Sequence, residues 1–209
     1  MRLPASYRGL WGALSRYWRD YGGWRDFFRS PLLHFSVAVA GASYSAWLKP
    51  DWTDLPLSLL PNLLGFSLGA YALIFSLANE RLLAALNVPT ADGRSTNLRI
   101  VNATFLHFIL VQTSAIIFAL ANRSTLFIDG VGLLPLTEAS TATVRLILSS
   151  LAGAVGYFLT VYAVVLLVGA ALAAYRLAIM SGKAASVVQQ IAALPAAPPA
   201  TSSAGSKTE

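Results

Sequence analysis

Cysteine is missing from this chain, and histidine occurs only twice, as His34 and His107. The first absence excludes disulfides, thiolate nucleophiles and Cys-based zinc or iron–sulfur sites together, and it leaves the redox compartment open. Charge is scarce too: 11% of the residues are Asp, Glu, Lys or Arg, against about a quarter in soluble domains. None of them falls in the middle of an apolar stretch, where a charged group is the usual mark of a proton relay, coupled transport or voltage sensing. A proton-coupled exporter built around a buried carboxylate is therefore disfavoured. There is no Gly-rich phosphate loop, no His pair at metal-ligand spacing and no serine matched with a base and an orienting acid. The sequence thus argues against an enzyme and implies no cofactor and no metal. Arginines near the start are not followed by a short apolar core and small-residue cleavage site, so the first membrane segment is expected to stay in the mature chain.

What is present is apolar: 56% of the 209 residues are hydrophobic. They gather into four stretches, 32–48, 57–79, 101–121 and a long one over 144–180 whose crossing is placed at about 154–177. A helix rises about 1.5 Å per residue and needs about 20 residues to cross roughly 30 Å of hydrocarbon. The middle two stretches meet that length. The first, with 17 residues, needs help from interfacial side chains or a thinned bilayer. The last exceeds one crossing and predicts a helix that continues past Arg176 into water. The expected fold is an all-α membrane protein with four transmembrane helices over 31–180, preceded by an interfacial amphipathic helix within 1–30. A cytoplasmic helical extension over 181–194 and a disordered tail over 195–209 follow; the tail is rich in Pro, Ala, Ser and Gly.

Lys and Arg set the orientation, because cytoplasmic flanks carry an excess of both. Twelve of the 15 lie before the first stretch, between the second and third, or after the fourth; only Lys49, Arg123 and Arg145 lie on the other side. Both termini are therefore expected in the cytoplasm, with a bacterial inner membrane as the location. The net charge of +6 is accounted for by this asymmetry, and nucleic acid is not an expected partner. Trp11 and Trp18 lie before the first span and Trp47 and Trp52 at its far end, and tryptophan marks the lipid interface. Between Tyr7 and Tyr21, apolar residues recur at helical spacing on one face while Arg8, Arg16 and Arg19 fall away from its centre, as suits a helix lying among headgroups. Ser30 before Pro31 reads as the cap of the first span and Ser95 as that of the third.

Small and polar residues then recur where leucine would serve hydrophobicity better. Asn62, Gly65, Gly69, Ala72, Ser76 and Asn79 share one face of the second span; Gly153, Gly156, Thr160 and Ala163 do so on the fourth. Lipid tails are as apolar as leucine, so helices in a bilayer associate by close backbone approach and interhelical hydrogen bonds, which small residues permit. These faces are expected to be helix-packing seams, and there are more of them than one pair of helices needs, which points to a homo-oligomer. His107, Gln112, Thr113 and Ser114 are candidates for a polar network or a pore lining on the third span. The apolar loop 124–136 reads as a cap at the interface. The function expected is a non-enzymatic homo-oligomeric pore or membrane-perturbing effector, in contact with membrane lipids. The alternative is a membrane anchor or sensor that recruits a cytoplasmic protein partner, as in a bacterial stress or defence complex.

Overall fold

A computed structural model describes residues 4–77, 80–89, 93, 95–124, 130 and 137–192; at 5, 77, 81, 82, 85, 177, 180, 181 and 183–192 it describes the backbone alone. The expectations for Asn79, for most of the apolar loop 124–136 and for the tail 195–209 lie outside the described residues. The described chain is helical: α1 (Ala5–Tyr21), α2 (Gly23–Arg29), α3 (Pro31–Ala42), α4 (Tyr44–Trp47), α5 (Asp54–Leu77), α6 (Glu80–Leu86), α7 (Asn97–Arg123) and α8 (Glu138–Ala192).

Local chemistry explains the boundaries. α1 stops because Gly22 takes φ 106°, a left-handed conformation that only glycine adopts freely, and its N–H closes on the Arg19 and Trp18 carbonyls. A side chain there would also collide with the Asp26 carboxylate. Ser30 stands at the start of α3 with Pro31 in the first turn, but its hydroxyl makes no capping bond. The cap of α7 is Thr96 rather than Ser95: Thr96 is extended, and its Oγ1 accepts from the Arg99 N–H at 3.4 Å. Pro61 lies inside α5 and supplies no N–H to the ladder; one residue on, Asn62 Nδ2 donates to the Ser58 carbonyl at 3.4 Å. α3 ends at Ser43, and the short α4 that follows is tied back to it by Trp47, whose indole N–H donates to the Ala40 carbonyl at 2.9 Å.

Three helices are long and apolar enough to cross a membrane: Asp54–Ser76 within α5, all of α7, and Glu138–Arg176 within α8; α3 is apolar but shorter. Their outer faces carry large exposed side chains such as Phe66, Leu73, Ile117, Val164, Val168 and Leu172. Soluble proteins seldom expose apolar surface so continuously, whereas hydrocarbon accepts it. The chain is a multi-pass membrane protein on that evidence. α8 is one unbroken helix of 55 residues, roughly 80 Å long at the helical rise, and so runs well beyond any single crossing.

α7 and α8 form the central pair, with α5 packed along α7 and α3 along α8. α3 and α5 make no substantial contact with each other, so the four helices form an open row rather than a closed square. Leu33, Val101, Phe105, Phe108, Tyr162 and Leu166 fill the half nearer α1, and Leu60, Ala115 and Ala163 fill the middle. α5 is the peripheral member: 11% of its apolar window is buried, against 44% for α7.

Candidate functional site

Polar side chains meet inside this apolar body at three levels. At the α1 end, α1 packs across α7 and brings Tyr17 to His107, 90 residues apart in sequence. Tyr17 Oη lies 2.5 Å from His107 Nδ1, and Tyr162 Oη of α8 lies 2.9 Å from His107 Nε2. A neutral imidazole has one N–H and one lone pair, and a phenol both donates and accepts, so one tyrosine donates to the ring while the other accepts from it. Tyr21 stacks on the imidazole with ring centres 4.1 Å apart. Burial, chiefly, pushes the Tyr17 and Tyr21 phenols above their ordinary range, so both stay neutral hydrogen-bonding groups at physiological pH. A second tie joins the same helices: the Asp20 carboxylate receives Arg99 Nη2 at 2.8 Å and Nε at 3.1 Å. α1 is thus fastened to α7 at two points. Its predicted lipid-facing Arg16, Arg19 and Trp11 are exposed, while Trp18 is half-buried against Trp24 and Phe27.

At mid-height, Gln112 is fully buried, and its Nε2 donates to Ser67 Oγ of α5 at 3.3 Å. Ser67 in turn donates to the Leu63 carbonyl at 2.6 Å. Gln112 Oε1 has no hydrogen-bond partner among the described residues. Thr160, also buried, donates to the Gly156 carbonyl at 2.8 Å. Of the polar candidates on α7, His107 and Gln112 join interhelical hydrogen bonds, while Thr113 and Ser114 do not share their direction. Successive helical residues are turned by about 100°, so Gln112 points inward, Thr113 is half-buried and bonded back to the Ile109 carbonyl, and Ser114 is exposed. Leu60, Ala115 and Ala163, each at most 1% exposed, close the centre of the chain.

At the α4 end, the small residues of α8 receive tryptophan. Gly153 lies against the Trp47 backbone carbonyl and Gly156 against the Trp52 ring, so closely that an added Cβ at either would collide. Thr160 and Ala163 continue that buried face. Beside it a cavity of about 650 Å³ is rimmed by Lys49, Asp51, Asp54 and Arg123, the last two paired at 3.1 Å. Trp47 and Trp52, read from sequence as interfacial, therefore also serve as packing groups.

The seam on α5 is placed differently. Asn62, Gly65, Gly69, Ala72 and Ser76 are all exposed, and space around Gly65 and Gly69 is empty to 4 Å. The inward face of α5 is instead Leu60, Leu63, Ser67, Tyr71 and Ile74. No part of this chain among the described residues covers the five seam residues.

No family model, no curated protein and no solved structure matches the chain. Among the described residues no group of three His, Asp or Glu side chains comes together as a metal site would require. Sequence reasoning found His107 and Gln112 but missed their partners Tyr17, Tyr162 and Ser67. Tyr17 had a usable signal, since it shares one helical face with Leu14 and Tyr21.

Proposed function

We propose that this chain is a non-enzymatic integral membrane protein that self-associates through α5 to form a pore or a membrane-perturbing assembly. The observation that carries this is the uncovered face of Asn62, Gly65, Gly69, Ala72 and Ser76 on the least buried of the long helices. Lipid gains nothing from those residues, whereas a second helix gains close backbone approach. Since the protomer is filled at mid-height, a conducting path would run between subunits. We further infer four crossings with both termini cytoplasmic. The α3–α4 segment runs along α8 from Leu32 beside Gly169 to Trp47 beside Gly153, about 24 Å of helix at the standard rise, close to the hydrocarbon thickness.

The test is mass determination in detergent followed by ion flux in liposomes, with Gly69→Leu as the variant. Wild type should be oligomeric and Gly69→Leu monomeric and inactive, with helicity unchanged because the position is open within the single chain. A monomeric wild type, or a variant that assembles equally well, sinks the proposal. Topology reporters fused to both termini should report the cytoplasm, and a periplasmic signal at either end refutes the orientation.

One observation favours a second reading. α8 continues unbroken from Arg176 to Ala192, about 24 Å of helix beyond its apolar portion, which suits a stalk for a cytoplasmic partner. Deleting 181–194 should then release a co-purifying protein; if none accompanies the intact chain, the anchor reading fails.

A further inference from the structure

We propose that the cavity between α2, the start of α3 and α7 is a phospholipid site selective for a zwitterionic headgroup bearing a primary ammonium. The cavity measures about 380 Å³, within the range that holds a headgroup-sized ligand. Its lining changes character with depth. Asp26 and Arg29 are exposed and mark the mouth; Phe108 and Leu166 are buried and form the apolar wall with Leu32, beside His107, whose two ring nitrogens are already taken up by the Tyr17 and Tyr162 hydroxyls. That order matches a lipid entering from the bilayer surface, with headgroup outside and acyl carbons within. Ser30 and Pro31 are also where the chain turns from the arginine-bearing segment into apolar α3, so the mouth lies at the level of the headgroups.

The charges specify the headgroup. The chain pairs Asp20 with Arg99 and Asp54 with Arg123, yet neither Asp26 nor Arg29 enters an ion pair among the described residues, although they lie three apart on one short helix. One free cation and one free anion on the same rim complement a headgroup that carries both signs. The Arg29 guanidinium forks onto phosphate oxygens, and the Asp26 carboxylate accepts from the ammonium. A purely anionic headgroup meets repulsion at Asp26, and a quaternary ammonium has no N–H to give it. The ligand class is therefore the phosphatidylethanolamines.

Native mass spectrometry of the full chain in detergent tests this, with dioleoyl phosphatidylethanolamine, phosphatidylcholine, phosphatidylglycerol and inorganic phosphate titrated in separate arms. Phosphatidylethanolamine should bind roughly tenfold more tightly than either other lipid, the gain expected of one charge-assisted hydrogen bond. Arg29→Ala should weaken it by a similar factor. Asp26→Asn should abolish the preference over phosphatidylglycerol, whereas Arg145→Ala, exposed near the start of α8 and outside the cavity lining, should leave that preference unchanged. Both rim side chains are exposed, so the variants keep the fold. Equal binding of the three lipids, indifference to Arg29→Ala, or inorganic phosphate binding as tightly as the lipid would each overturn the proposal.

Discussion

Gly153→Ala should destabilise the folded protomer by roughly 2–3 kcal/mol, the cost of overpacking a rigid contact, while Gly69→Ala should shift it by only a few tenths. Both substitutions add one methyl group to a glycine on a membrane helix. The difference lies in what the methyl meets. At Gly153 it runs into the backbone carbonyl of Trp47, which no side-chain rotation can move aside, so α4 must retreat from α8. That retreat also strains the bond from the Trp47 indole to the Ala40 carbonyl, the tie that holds α4 to the end of α3. At Gly69 the methyl enters open space. Gly156→Ala should fall between the two, because it meets the Trp52 ring, and Trp52→Leu should restore part of the loss. The midpoint of unfolding in a dodecyl sulfate titration of the detergent-solubilised protein measures all four variants. Equal shifts for Gly153→Ala and Gly69→Ala refute the packing assigned to α8.

The same contrast marks how far the sequence could be read. Apolar length and scarcity of charge are properties of single segments, so the three long helices were legible, as was the helix running past Arg176. The small-residue faces of α5 and α8 were legible too, and look alike in sequence. Which of them is filled depends on where α3 and α4 lie, and that is a property of the whole row of helices. Gln112, Thr113 and Ser114 show the converse: with His107 they are candidates for one polar network or pore lining in the sequence, but the helical turn sends the three neighbours in different directions. Ser95 failed as a cap because its neighbour Thr96 holds the extended backbone that a cap needs. The tie between Tyr17 and His107 was out of reach, since nothing local in either helix reveals that α1 crosses α7 at that height.

The other large expected effect follows from that tie: His107→Leu should free α1 from α7. The imidazole is 4% exposed and bridges Tyr17 Oη and Tyr162 Oη, with Tyr21 stacked over it. Leucine fills similar volume but offers neither a proton nor a lone pair, so both phenols lose a partner in an apolar setting. Tyr162 keeps a hydrogen bond with the Tyr21 hydroxyl, but Tyr17 is left unsatisfied at a cost of about 1–3 kcal/mol, more than the Asp20–Arg99 pair, half exposed on its arginine side, can hold alone. Released, α1 presents Arg8, Arg16 and Arg19 in a flexible segment. Trypsin in detergent should then cut within α1 at least tenfold faster in His107→Leu than in wild type. Tyr17→Phe removes one bond and leaves Tyr162 paired, so it should produce a smaller increase in the same direction. Adding Tyr17→Phe to His107→Leu should do little more, because the contact is already gone. Additive effects of the two substitutions would show that His107 acts on the core of α7 and α8 and not on the docking of α1, as would a cleavage rate that His107→Leu leaves unchanged while the helices unfold at lower temperature.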